Sequence, residues 1–188
     1  MRKSKRMDAR IIAAASRVFA EHGFDAPLSK NWGSRRGLRK EVLAQLFAGR
    51  WKPEWDALLV DRSLPLAERL TRFYIEYRGK ITRSEARLWT RAGLLGMHGP
   101  AFSRTLEQRI LVPVTRELRQ EAGVASKRAV SGRELELVQM LHGAIAFPHT
   151  RSHIFDMDVH GRLPEVIAMV VRVWLPGAIA EMRRLTRP

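Results

Sequence analysis

The chain has 188 residues, with 34 Lys/Arg against 19 Asp/Glu, a net charge of +15, no cysteine and 45% hydrophobic residues. A chain of this length buries roughly 70% of its unfolded surface without a cross-link or metal, and the lack of Cys excludes disulfides, thiolate catalysis and Cys-based zinc sites. The N-terminus lacks the apolar core of a signal peptide, and the longest apolar stretch, Val166 to Ala180, is interrupted by Arg172, Pro176 and Gly177, so no membrane span and a cytoplasmic location are expected.

The charge is uneven. Residues 1–50 hold twelve Lys/Arg against four acids. A basic excess at one end points to nucleic acid or another polyanion.

Met1 to Arg6 is a basic arm. A first helix, capped by Ser4 or Asp8, runs to about His22, because Ile11, Ile12, Ala15, Val18 and Phe19 recur at three- and four-residue steps. Gly23 stops it. Leu28 to Arg36 is predicted as a short helix anchored by Trp32, and Gly37 as the turn that follows. Leu38 to Leu46 is the next helix, with Leu38, Val42 and Leu46 or Phe47 inward and Arg39, Lys40, Glu41, Ala44 and Gln45 outward.

Pro53 opens a helix to about Arg62 that carries Trp55, Leu58 and Leu59. Further helices are predicted over Leu66–Ile81 and Ser84–Met97, with a loop at His98-Gly99-Pro100. Another spans Phe102–Ala122 with a kink at Pro113. A basic loop, Gly123 to Gly132, leads to a helix opened by a Ser131/Glu134 capping box. Pro148 bends or ends that helix. The last runs from about Pro164 to Leu185 with a break or kink at Pro176-Gly177. No alternating strand pattern occurs, so the fold class is all-α.

Two helices around a glycine turn, the second with a basic outward face, read as a helix-turn-helix. The span Arg10 to Leu59 also resembles the N-terminal domain of the TetR (tetracycline-repressor) family of transcriptional regulators. The residues that carry the resemblance are Ile11, Ala14, Ala15, Phe19, Gly23 and Phe24, then Gly37, Leu38, Lys40, Leu43 and Phe47, then Leu58 and Leu59, with the Gly23-to-Gly37 interval kept. Pro27, Trp32-Gly33, Ala44 and Leu46 depart from the family pattern.

The resemblance implies a helix-turn-helix DNA-binding domain over residues 1–50 and a helical ligand-binding and dimerisation domain over residues 51–188. It implies a homodimer on double-stranded DNA with a near-palindromic operator, released by a small-molecule effector. Arg39, Lys40, Glu41 and Gln45 are then the base-edge candidates. Arg2, Lys3, Lys5, Arg6, Arg35, Arg36 and Arg50 are the phosphate candidates. The expected pocket-lining residues are Phe73, Tyr77, Trp89, Met97, Phe102, Met140, His142 and Phe147, and an inward Arg91 or His142 would favour an anionic effector.

The cluster His149, His153, Asp156, Asp158 and His160 has a four-residue histidine step, but Pro148 places the pair at a helix end, where the dipole explains cationic side chains. No metal and no cofactor are therefore expected. Catalytic motifs are absent, so no enzyme is expected. The expected function is a ligand-responsive transcriptional regulator, a repressor. The alternative is a degenerate helical ligand- or partner-binding protein without specific DNA recognition.

Overall fold

A computed structural model describes residues 8–27, 34–47, 51–97, 99–125 and 127–186. Every regular element among them is helical: α1 Ala9–His22, α2 Arg35–Phe47, α3 Pro53–Val60, α4 Leu66–Gly79, α5 Arg83–Leu94, α6 Gly99–Leu106, α7 Val112–Glu121, α8 Gly132–His153 and α9 Leu163–Leu185. The all-α expectation holds for these residues. The sequence reading draws one boundary at residue 50. Packing divides the chain into one compact unit of Met1–Trp51 with Thr82–Phe102, and a second of Lys52–Ile81 with Ser103–Pro188.

In the first unit, α1 begins at Asp8, whose carboxylate accepts the Arg10 N–H at 2.8 Å. It ends at Gly23, held at φ +86°, a conformation that favours glycine. The apolar stripe of α1 buries Ile12, Ala15 and Phe19 against Leu38, Val42 and Leu43 of α2 and Leu88 and Ala92 of α5. A fully buried Phe or Leu contributes about 1.5–3 kcal/mol. A Thr82/Glu85 capping box opens α5. Its end turns at Leu95-Gly96, where the Met97 N–H donates to Ala92 O at 2.8 Å and Gly96 takes φ +64°.

Arg91 of α5 fastens the far end of α1. Its guanidinium donates to the carbonyls of Phe19, Ala20 and Glu21 at 2.9, 2.7 and 3.2 Å. Those carbonyls belong to the last turn of α1, where helical donors run out, although Phe19 O also accepts from the Gly23 N–H at 3.0 Å, and the cation meets the negative end of the dipole. Arg91→Ala is expected to lower the stability of this unit by about 1–2 kcal/mol, seen as a lower denaturation midpoint. Arg91→Gln should recover part of that loss. An unchanged midpoint would show that the contact adds nothing.

Several predicted breaks are absent. Gly37 is not a turn: α2 begins two residues before it, because Ser34 accepts the Gly37 N–H on its hydroxyl at 3.1 Å and the Leu38 N–H on its carbonyl at 3.0 Å. A capped N-terminus sets the helix start more firmly than one glycine resists it. Arg35 and Arg36 therefore belong to α2. The rest of the predicted Leu28–Arg36 helix, apart from Ser34, lies outside the described residues.

Gly99 and Pro100 are helical rather than loop, since proline is tolerated in a first turn. Before Pro113 a π-helical turn covers Glu107–Leu111, closed by the Val112 N–H on Glu107 O. It inserts one residue ahead of the proline, which would otherwise crowd the carbonyl four residues back. Helices α8 and α9 run unbroken through Pro148 and Pro176. Each proline costs one helical donor, and packing outweighs that loss.

In the second unit, α9 packs on α4, α7 and α8. The core includes Trp55, Leu70, Phe73, Leu118, Leu141, Ile145, Val171 and Met182. The Trp174 indole donates to Leu137 O at 3.0 Å, joining α9 to α8. Because Pro176-Gly177 does not interrupt α9, this helix is long and apolar enough by length and composition to cross a membrane, contrary to expectation, and most of it lies at the surface.

Two buried ionic clusters brace the unit. Glu117 accepts from buried Arg69 at 2.9 Å and from the fork of Arg62 at 2.9 and 3.1 Å. Burial pushes its carboxyl up, but those two arginines outweigh this and hold it below the usual range. Glu134, fully buried, accepts both Arg119 bonds at 2.7 and 2.8 Å and both Arg128 bonds at 2.9 and 3.1 Å. It also completes the Ser131 capping box.

Candidate nucleic-acid interface

The outward face of α2 is built by its inward one. Leu38, Val42 and Leu43 are buried, and the helical repeat then turns Arg35, Arg36, Lys40, Glu41, Ala44 and Gln45 to solvent. No acidic residue occupies the first turn, while Arg35 and Arg36 do. Cations there oppose the helix dipole, and Arg36 and Lys40 repel each other across one turn. Among the described residues no carboxylate pairs with Arg35, Arg36 or Lys40. The face thus has a charge pattern that an anion would stabilise: a capped helix N-terminus with exposed cations beside it.

Arg39 departs from the sequence expectation. Its Nη2 donates to Phe24 O at 2.7 Å and to the Asp25 carboxylate at 2.5 Å, and its Nε donates to the same carbonyl at 3.1 Å. The side chain is largely covered. It ties α2 to the segment after α1 and is not presented outward with Lys40, Glu41 and Gln45. Arg2, Lys3, Lys5, Arg6 and Arg50 lie outside the described residues.

Of the expected effector-lining residues, Phe73, Tyr77 and His142 lie together and Met140, Phe147, Trp89 and Met97 lie elsewhere. Phe73 is fully buried and its ring stacks on Tyr77, centroids 5.2 Å apart. Trp55 meets both edge-on at 5.7 and 5.6 Å, and Tyr77 lies 6.0 Å from His142. These residues fill a core rather than a cavity. Met140 and Phe147 face outward on α8. Trp89 and Met97 belong to the first unit, where Met97 packs on the core. Phe102 lies in α6, with its side chain outside the described set. Arg91 is committed to α1 and is unavailable as an anion anchor.

An open cleft of about 490 Å³ lies instead between the α3–α4 turn (Arg62 to Pro65), Arg69 and the end of α7 (Gln120, Glu121). None of these residues carries a sequence signal for binding. Arg62 and Arg69 are already paired with Glu117, which leaves the cleft without a free positive centre.

The histidine pair also differs from expectation. Because α8 continues past Pro148, His149 and His153 both lie on the helix, with ring centroids 5.4 Å apart. Among the described residues no group of three metal-ligating side chains forms.

Met140, Phe147, Met169 and Val173 leave an exposed apolar face on α8 and α9.

Comparison with protein-family models, curated proteins and solved structures finds no match.

Proposed function

We propose that this protein is a TetR-like, ligand-responsive transcriptional repressor that binds a near-palindromic operator as a homodimer in the cytoplasm. The observation that carries the reading is the solvent face of α2, where Arg35, Arg36, Lys40 and Gln45 stand exposed around a capped helix start. The arginines and Lys40 match phosphates, and Lys40, Glu41 and Gln45 are the side chains able to reach base edges from a helix in the major groove. The N-terminal basic arm adds sequence-independent attraction.

The apolar face of α8 and α9 supports the homodimer, since a two-fold axis pairs one patch with its copy. A membrane is a poorer occupant for that face. Arg172 stands near the middle of α9, and a central Arg costs about 2.5–3.5 kcal/mol in a span.

A second reading has one observation in its favour. Arg39 is held by Phe24 and Asp25, so one base-reading side chain fewer is available. This fits a degenerate helical binding protein that has lost specific DNA recognition.

Selection of duplexes from a random library, followed by anisotropy titration, separates the two readings. The regulator reading expects an enriched palindrome bound by two chains, at least tenfold tighter than a scrambled duplex. Arg36→Ala with Lys40→Ala should weaken it about tenfold or more near 0.1 M salt and lower the salt slope by about two. Equal binding to every duplex would sink the specific form of the proposal.

A further inference from the structure

Arg39 sits on the inward side of α2. At about 3.6 residues per turn it shares its sector with Val42 and Leu43, three and four residues on, and both are buried. Arg35, Arg36 and Lys40 are exposed on the same helix. A guanidinium in that inward sector needs acceptors, because a covered cation without them is costly. Phe24 supplies one. Its ring is buried, 5.2 Å from that of Phe19, which fixes the backbone that carries its carbonyl. Arg39 Nε and Nη2 both donate to that oxygen, at 3.1 and 2.7 Å, and Nη2 also reaches the exposed Asp25 carboxylate at 2.5 Å.

This contact does something the apolar stripe cannot. Burial of Leu38, Val42 and Leu43 holds α2 in the core it shares with α1, but that attraction is non-directional and tolerates a small rotation of the helix. Two hydrogen bonds from one planar group to one oxygen tolerate it less, since each weakens steeply as its angle falls. Side chains that read base edges need placement within about 0.5 Å and 10–20°. Lys40, Glu41 and Gln45 leave the same helix on its solvent side, so a rotation that opens the Arg39 fork also swings them.

We propose that Arg39 is a positioning residue for DNA recognition. Its fork on Phe24 fixes the rotation of α2 about its axis, and with it the approach of Lys40, Glu41 and Gln45 to the bases, while Arg39 itself does not touch DNA. The inference rests on the regulator reading.

The test uses the full chain with the enriched palindrome and its scrambled duplex, at a temperature where circular dichroism shows every variant folded. Arg39→Lys keeps the charge and loses the fork. It should lower the ratio of palindrome to scrambled affinity by about fivefold or more, with the scrambled affinity within about twofold of the parent. Arg39→Met should lower the ratio as much and leave the salt slope unchanged, whereas a lost phosphate contact would reduce that slope by about one. Asp25→Ala removes an acid, which favours any polyanion, and an exposed ion pair, which is worth little. The scrambled duplex should then bind more tightly while the ratio falls by about twofold. A contact that serves stability alone would lower the melting temperature and leave the ratio where it was. An unchanged ratio in Arg39→Lys, a slope reduced by about one in Arg39→Met, or a higher ratio in Asp25→Ala, which would mark Arg39 as a base reader held back by Asp25, would each overturn the proposal. A parent chain that prefers no duplex ends the regulator reading and this inference together. A parent that prefers the palindrome, with variants that keep its ratio, ends this inference alone.

Discussion

Arg119→Ala is expected to destabilise the second unit by about 2–4 kcal/mol, because it removes the buried partner of a buried carboxylate and leaves that carboxylate to Arg128 and Ser131. Glu134 is fully buried and receives two bonds from Arg119, two from Arg128 and two from Ser131. Arg119 also donates to the carbonyls of Arg128 and Ala129 at 2.9 and 3.0 Å. It therefore anchors the α7–α8 loop as well as the cap of α8. The Arg119 bonds come first in holding the Glu134 carboxyl down to about 2, followed by those from Ser131, against the opposing effect of burial. Arg119→Lys should fail to rescue, since an ammonium cannot make the same fork. Replacing both partners by apolar residues, Arg119→Met with Glu134→Leu, should recover most of the loss. Urea midpoints for the three variants decide the point. An Arg119→Ala midpoint equal to that of the parent chain would show that the cluster contributes little.

Acidification is expected to weaken the same unit from about pH 6.5 downward. His142 and His149 are both lowered from 6.5 to about 4 in the folded protein. The unfolded chain therefore binds protons first, and stability falls as pH drops below the unfolded value. The cost is about 3 kcal/mol by pH 5.5 and up to about 6 kcal/mol near pH 4 for the two groups together. Glu134 acts in a lower window with the same sign. Its depressed carboxyl contributes about 3 kcal/mol above pH 4.5, lost as pH falls toward 2. The double variant His142→Gln with His149→Gln should flatten the dependence between pH 7 and 5 while leaving the loss below 4.5. A parent chain equally resistant to urea at pH 7 and 5.5 would contradict the assignment.

Much of the fold is legible from residue order. The stripes of α1 and the second half of α2, the Ser131/Glu134 capping box and the start of α3 at Pro53 are local features, and the structure holds each of them. Misreadings gather at glycine and proline. Gly37, Pro100, Pro113, Pro148 and Pro176 each read as an interruption, and each is absorbed by a cap, a first-turn position, a π-helical turn or packing.

The candidate sites were legible in part. The exposed cations of α2 follow from which residues are apolar, because burying Leu38 and Val42 leaves the opposite face in water. The partners of Arg39, Arg91 and Arg119 do not follow. All three are arginines on helices, and for Arg39 and Arg91 the sequence leaves a ligand-facing role open. Arg39 holds a carbonyl 15 residues away and Arg91 one 72 residues away, while Arg119 grips a carboxylate 15 residues away. A helix is set by contacts within four residues, which composition and spacing encode directly. Whether a given cation is a surface charge, a helix cap or half of a buried pair depends on which distant carbonyl or carboxylate packing brings within 3 Å of it, and only the tertiary structure decides that.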